Sequence, residues 1–251
     1  MITPNPSEPI FSAADVIALN QARGILPHRD APRNAILCYQ AHLFAYALKN
    51  HPTQKLGGFL GDMYVLSGSV AVAGNFGIGA PAAVAVLEEL AAWGTQRFIS
   101  IGLAGGLQDN LQAGDLVVCD RAIRDEGTSR HYVPDEKFSH ASSTCLTQIC
   151  RALDSRKQPH RVGASWTTDA PFRETRGEVE QYRQEGIVTV EMEAAALFTV
   201  GQYLKVEVGA AFSIADSLDG LRWRIDYDVG RARRGLQILF DAALDVFSET
   251  V

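Results

Sequence analysis

From Asn34 onward, short apolar runs alternate with longer segments in which apolar residues recur at helical spacing. The apolar runs predict buried strands at 35–39, 70–75, 97–103, 115–119, 122–125, 161–166, 187–191 and 208–215. The helical spacing predicts a helix that ends near Leu48 and further helices at 81–93, 143–153, 174–184, 194–203 and 228–247. This alternation is typical of a parallel sheet covered on both faces. We therefore expect a single α/β domain around a central, mostly parallel twisted sheet flanked by helices.

The first 33 residues differ from the rest of the chain. They hold five of the ten prolines and show little periodicity beyond one short helix expected at 12–23. We therefore treat 1–33 as an N-terminal extension and 34–251 as the domain that carries the chemistry.

Composition narrows the class of protein. Hydrophobic residues make up 47% of the chain and the formal net charge is −6, which disfavours a nucleic-acid partner. No apolar run approaches the roughly 20 residues of a membrane span, and Met1 to Asn20 lacks the pattern of a signal peptide. The four cysteines show neither CxxC spacing nor a nearby His cluster, so we expect no metal and a reducing, cytoplasmic compartment.

The candidate ligand-binding groups follow predicted strands, because ligands of such sheets bind beyond the carboxyl ends of the strands. The first group is the glycine turn at 77–81, where Gly77 and Gly79 let the backbone approach a ligand and the next helix could face an anion. The turn lacks the lysine of a P-loop and has Val84 at the third glycine position of a dinucleotide motif. A tight connection between strand and helix is the alternative interpretation.

Acidic side chains follow two other strands. Glu191 and Glu193 end an apolar strand where a helix begins, and carboxylates there can accept hydrogen bonds from a vicinal diol such as that of ribose. Asp216 follows the strand at 208–215, and desolvation could keep it protonated and able to donate to a departing base. The alternatives are a favourable charge at a helix N-terminus for the glutamates and a helix or turn cap for Asp216.

Taken in order, several segments resemble the nucleoside phosphorylase family, which includes hexameric purine nucleoside phosphorylase and uridine phosphorylase. They are GIGAP at 77–81, GG at 105–106, AGDLVV at 113–118, AIRDEGTS at 122–129, TDAPF at 168–172 and VEMEAAAL at 190–197. The similarity spans about residues 57–218. It implies phosphorolysis of a nucleoside to free base and ribose 1-phosphate, with phosphate as co-substrate and no other cofactor. It also implies a homo-oligomer, either a dimer or a hexamer.

The same resemblance implies roles for individual residues. Met192 would pack on the sugar, Glu193 would bind its secondary hydroxyls with Glu191 beside it, and Phe172 would stack on or flank the base. Asp216 falls where the purine enzymes carry their proton donor. Gly77, Gly79 and Gly102 fall on the phosphate side of the site. Arg173 and Arg176 are candidates for reading the edge of the base, and surface arginines at a helix start are the alternative.

The chain departs from the family at the phosphate site. Ser100 and Leu103 stand where an Arg and a Ser or Thr are usual, and Cys38–His42 replaces an early turn that is followed by a second Arg. A third Arg would match near Gly57 or Gly58. Because arginine is best shaped to clamp phosphate, we expect phosphate affinity at least ~100-fold weaker than with the arginines in place. A phosphate-independent nucleosidase and a non-catalytic nucleoside-binding protein are left open as alternatives, as is the choice between a purine and a pyrimidine base.

Overall fold

The computed structural model describes residues 4, 7, 9–66, 70–218, 222–225 and 229–248. Within these ranges the chain forms eleven strands and seven α-helices. The strands are β1 (Asn34–Cys38), β2 (Thr53–Leu56), β3 (Asp62–Leu66), β4 (Val70–Gly74), β5 (Arg97–Gly106), β6 (Leu116–Asp125), β7 (Phe138–His140), β8 (His160–Thr168), β9 (Thr189–Glu191), β10 (Glu207–Ser217) and β11 (Arg224–Ile225). The helices are α1 (Ala13–Ala22), α2 (Ala41–Asn50), α3 (Ala80–Trp93), α4 (Ser143–Ser155), α5 (Arg176–Gln184), α6 (Ala194–Leu204) and α7 (Val229–Ser248). No helix in these ranges is long and apolar enough to cross a bilayer.

All eleven strands belong to one sheet, part of which closes on itself. The sheet runs β11-β10-β6-β8-β9-β5-β1-β4-β3-β2, β7 pairs with β6, and β10 also pairs with β5. That extra pairing closes a ring of five strands, β5-β10-β6-β8-β9. The remaining strands extend from this ring as an open sheet that begins with β1.

Strand β5 forks where the ring meets the open sheet. On one edge it pairs with β10 along its whole length, from Arg97 to Gly106. On the other edge β1 pairs with 97–101 and β9 pairs with 105–106, so the two partners are separated at 102–104. We call residues 102–104 the fork. It lies at a topological switch point, where open α/β sheets bind their ligands.

Helices cover both faces of the sheet. Apolar side chains of α1, α3 and α6 bury one face in a cluster centred on Leu87, Phe98 and Phe198. Those of α2, α4 and α7 bury the other face around Ile36, Ile99 and Phe240. Burial of apolar area of this kind is the main favourable contribution to folding. The two layers fix the strands whose ends carry the polar groups.

Helix α3 shows how local sequence sets an element beside those groups. Pro81 lies in the first turn, where its missing N–H costs nothing, and Gly94 ends the helix at a φ of +131°. Gly79 precedes the helix with a φ of +93°, a conformation that favours glycine. The glycine turn and the start of α3 therefore follow from the sequence.

The prediction of a single α/β domain with a sheet flanked by helices is confirmed, but the sheet is mixed rather than mostly parallel. The parallel pairings join β4, β1, β5 and β10 in one row and β6, β8 and β9 in another. Antiparallel pairings join the two rows and form the edges. The predicted division at residue 33 stays a prediction, although Ile17 and Leu26 from the first segment are buried in the core.

Candidate functional site

A cavity of about 220 Å³ lies at the fork. Its walls are Leu103 and Ala104 from β5, the segment around Met192, the end of β10 near Asp216, and the stretch that contains Glu174. Three strand ends and one connecting segment therefore meet around a single space. Three of the residues predicted from the sequence, Glu191, Met192 and Asp216, line it directly.

Glu191 also borders the cavity, but its carboxylate is already hydrogen-bonded to other groups of the protein. Its Oε2 accepts hydrogen bonds from the backbone N–H groups of Glu193 and Ala194, both at 2.8 Å. Its Oε1 accepts from the hydroxyls of Ser165 and Thr167. Burial raises the pKa of Glu191, and these donors oppose that shift. The geometry thus favours the helix-capping interpretation, with Glu191 holding the start of α6.

Glu193 connects the start of α6 to the glycine turn. The backbone N–H of Gly79 donates to its Oε1 at 2.5 Å, across 114 residues of sequence. Burial, and then the charge of Glu191, raise the pKa of Glu193 to about 8. Met192 lies beside the same turn, with its Cε 3.9 Å from where a Cβ on Gly79 would be. The acid and the thioether predicted to contact the sugar are therefore neighbours of the glycine turn.

Asp216 reaches the cavity through an irregularity in β10. Ile214 lies opposite Ala104 and Asp216 lies opposite Gly105, so Ala215 is an extra residue in the ladder. The indole N–H of Trp223 donates to Oδ2 of Asp216 at 2.6 Å. Oδ1 of Asp216 lies 3.1 Å from the position that a Cβ on Gly105 would occupy. The absent side chain of Gly105 therefore makes room for the carboxyl group.

Glu174 was not singled out from the sequence, where it began the predicted helix at 174–184. In the structure α5 begins at Arg176, because Thr175 caps it in a reciprocal pairing with Glu178. Glu174 stays outside the helix and its half-buried side chain lines the cavity. Burial, and then the charge of Asp216, raise the pKa of Glu174 to about 7. A Thr-x-x-Glu motif at 175–178 was the signal that could have separated Glu174 from the helix.

Phe172 and Arg173 are not brought to the cavity. Both belong to a single 3₁₀ turn, Pro171–Arg173, and Phe172 is 100% exposed. Their proposed contacts with the base stay predictions. In this chain Pro171 and Glu174 line the cavity from the same segment.

The predicted phosphate side of the site contains hydroxyls near the glycines. The Tyr39 hydroxyl lies 2.9 Å from Oγ of Ser100, and its ring lies against Gly102. Burial, and then the charge of Glu193, raise the pKa of Tyr39 well above its usual value. Gly77, with a φ of +98°, has no atom closer than 4.0 Å to the position of a Cβ. Phosphate binding by Gly77, Gly79 and Gly102 stays a prediction.

In the described part of the chain, no three His, Cys, Asp or Glu side chains are grouped so that they could hold a metal ion.

A family model described as the phosphorylase superfamily matches residues 37–245. The chain belongs to this superfamily.

Individual relatives in the phosphorylase superfamily share part of the sequence. The chain is 30% identical over 142 residues to a guanosine phosphorylase of Halorubrum lacusprofundi, covering 57% of this chain and 59% of the relative. It is 30% identical over 151 residues to a uridine phosphorylase of Thermococcus kodakarensis, covering 55% and 54%. The chain thus spans just over half the length of these curated relatives.

The fold extends further than the sequence similarity. A crystal structure of uridine phosphorylase from Vibrio fischeri superposes with a TM-score of 0.81 at 23% identity. The superposition covers 92% of this chain and 100% of that one. The fold of this superfamily member is therefore that of a nucleoside phosphorylase.

Proposed function

We propose that this member of the phosphorylase superfamily cleaves the N-glycosidic bond of a nucleoside by phosphorolysis, giving the free base and ribose 1-phosphate. The observation that carries the proposal is the cavity at the fork, which Met192 and Asp216 line in a chain whose superfamily match covers 37–245. The names of the relatives, a guanosine and a uridine phosphorylase, support the same reaction class.

The mechanism follows from the charges that develop as the bond breaks. The electron pair of the C1′–N bond leaves with the base, and an oxygen of phosphate forms the new bond to C1′. Asp216, on the cavity wall, donates a proton or hydrogen bond to the base, which offsets its negative charge. Met192 packs on the sugar and Glu193 accepts hydrogen bonds from its secondary hydroxyls. The chain needs no cofactor beyond phosphate for these steps.

We also propose that the enzyme acts as a homo-oligomer, a dimer or a hexamer, in the cytoplasm. Exposed apolar side chains such as Leu60, Ile78 and Phe172 support this, because they are large groups that a second copy could cover. Light scattering of the purified chain measures the mass directly, and a monomer would exclude the oligomer.

The test of the reaction is product formation with and without phosphate. The purified chain is incubated with guanosine, inosine, adenosine or uridine, and the base is separated while ribose 1-phosphate is observed by phosphorus NMR. Base release that requires phosphate, with one ribose 1-phosphate for each base, supports the proposal. Release without phosphate would identify a nucleosidase, and binding without release would identify a binding protein.

A further inference from the structure

Tyr39 fills the space between the glycine turn and β5. Its ring packs edge-on against Phe76, which precedes the turn, and the two ring centroids are 5.3 Å apart. The same ring lies against β5, because a Cβ on Gly102 would be 3.2 Å from Cδ2 of Tyr39. The Tyr39 hydroxyl lies 2.9 Å from Oγ of Ser100, a residue that is only 1% exposed. A rigid aromatic side chain therefore occupies the space beside Ser100.

The place of Tyr39 along β5 relates it to the attacking nucleophile. Asp216 pairs with Gly105, whereas Tyr39 lies against Gly102, three residues and roughly 10 Å away along the strand. In phosphorolysis, an oxygen of phosphate approaches C1′ from the face opposite to the departing base. With the base at Asp216 and the sugar at Met192, as proposed above, phosphate approaches from the side of Tyr39.

Tyr39 presents no positive charge to an approaching anion. Burial, and then the charge of Glu193, raise the pKa of Tyr39 well above its usual value, so the hydroxyl stays neutral. One hydroxyl of the Tyr39–Ser100 pair donates to the other, which removes a donor from the reach of a ligand. The backbone N–H of Gly79 is likewise engaged, because it donates to Glu193. Phosphate loses its hydration on this side and regains few hydrogen bonds.

We propose that Tyr39 determines the affinity of the enzyme for its co-substrate, because its ring fills the space beside Ser100 that a clamp for phosphate would need. This rests on the proposed function and concerns the co-substrate of that same site. Phosphate binds weakly while the ring is in place, and phosphorolysis requires a high phosphate concentration. A smaller side chain at position 39 admits phosphate to the hydroxyl of Ser100.

The decisive comparison is Tyr39→Ala against Tyr39→Phe. Alanine removes the ring and frees the Ser100 hydroxyl to donate to a phosphate oxygen. We expect the KM for phosphate to fall roughly tenfold or more, as for a hydrogen bond to a charged group, while the KM for the nucleoside stays unchanged. Phenylalanine keeps the ring and should leave the KM for phosphate unchanged. A higher KM for phosphate in both variants would show that the Tyr39 hydroxyl binds phosphate, and would overturn the proposal.

A second pair of variants tests whether space is the limit. An arginine at position 100 has no room while the ring of Tyr39 is in place, whereas with Tyr39→Ala it can hold phosphate through two parallel hydrogen bonds. The gain in phosphate affinity from Ser100→Arg should therefore appear only in the Tyr39→Ala background, as a double-mutant cycle measures. An equal gain in both backgrounds would contradict the role of the ring. The comparison of alanine with phenylalanine at position 39 stands whether or not the double variant folds.

The matched control is Tyr64→Ala. Tyr64 is also half-buried and packs edge-on against Phe44, with their ring centroids 5.7 Å apart, on the other face of the sheet. Its loss should leave the KM for phosphate unchanged. Thermal unfolding of each variant shows that it is folded. A fall in the KM for phosphate in Tyr64→Ala equal to that in Tyr39→Ala would assign the effect to general loosening of the fold.

A separate binding measurement distinguishes this inference from the proposed function. Calorimetry gives the dissociation constant of inorganic phosphate for the unchanged chain, Tyr39→Ala and Tyr39→Phe. Tighter binding in Tyr39→Ala alone, in a chain without turnover, would support the role of Tyr39 and contradict phosphorolysis. Equal binding in all three proteins, with phosphate-dependent turnover, would contradict the role of Tyr39 and leave phosphorolysis standing.

Discussion

At the scale of single residues, Glu193 is a buried acid with a ready neutral mimic. Glu193→Gln should keep the fold, because an amide oxygen can still accept the hydrogen bond from Gly79. Above pH 8, where Glu193 is ionised, it should weaken nucleoside binding by about tenfold, or ~1.4 kcal/mol, because an amide accepts fewer hydrogen bonds from a diol than a carboxylate does. Calorimetric titration with nucleoside measures the change. An unaltered dissociation constant would remove Glu193 from the sugar site.

Asp216 is expected to act mainly in the transition state. Asp216→Asn can still accept from the Trp223 indole, so the local structure should persist while the acidic group is lost. We expect kcat to fall by about 10²–10⁴ with little change in KM, as for a positioned acid. Steady-state kinetics with purine nucleosides measures both constants. Trp223→Phe removes the indole donor, keeps the carboxyl group of Asp216 and is the control. A loss confined to KM would argue against proton donation.

At the scale of elements, the contact between β5, β9 and β10 at Gly105 is tight. A Cβ there would lie 3.0 Å from Cγ1 of Val190 and 3.1 Å from Oδ1 of Asp216. Gly105→Ala should therefore displace the carboxyl group by a few tenths of an ångström and lower kcat about tenfold or more, since small misplacements of catalytic groups cost rate. The control is Gly177→Ala on α5, where a Cβ meets open space. That change should leave kcat unaltered and stabilise the helix by roughly 0.5–1 kcal/mol. A Gly105→Ala variant with unchanged kcat would show that the acid is not held by this contact.

The sequence predicted helices and strands best where the residues at their ends and the apolar pattern indicate the same boundaries. Helix α3 has Pro81 in its first turn and ends at Gly94, and its predicted limits, 81–93, were close to the observed Ala80–Trp93. Strand β6 was predicted as two runs because Asp120 and Arg121 interrupt the apolar pattern. In the structure these two polar residues occupy a shift in register between Cys119 and Ala122, and the strand continues through them. The β2–β3 hairpin was missed: most of β2 is exposed at the sheet edge and carries no apolar run, and β3 is only five residues long.

The site was predictable only in part, for a related physical reason. Glu193 and Asp216 follow apolar strands, so their place at the strand ends could be inferred from pattern alone. Glu174 lies in the cavity through tertiary structure, because the fold brings the segment after β8 over the end of β10. Phe172 was selected by resemblance, and its exposure in this chain does not follow from any local pattern.

At the scale of the whole molecule, the buried acids make stability depend on pH. The pKa of Glu193 is about 8 in the folded chain, against an ordinary value of 4.5, so the folded state holds a proton that the unfolded state has lost. The contribution of this proton to the free energy of unfolding is fully present below pH 4.5. It decreases by about 1.4 kcal/mol for each pH unit above that and is lost as the pH rises through 8. Urea unfolding at pH 6 and pH 8.5 should show lower stability at the higher pH. Glu193→Gln should flatten that difference, and an equal pH dependence in both proteins would contradict the assignment.

The fork in β5 has a consequence for what substitutions can reveal about this site. Residues 102–104 of β5 pair with neither β1 nor β9 on that edge of the strand. Main-chain amide and carbonyl groups therefore border the cavity where Leu103 and Ala104 line it. Such groups are the same whatever side chain a residue carries, and only proline deletes a donor. The presence of Ser100 and Leu103 at positions where the resemblance implies an arginine and a hydroxyl therefore does not remove these main-chain groups. Alanine scanning will detect the contributions of side chains and miss those of these main-chain groups. Replacing an amide with an ester at 102–104 would measure how much the main chain contributes to ligand affinity.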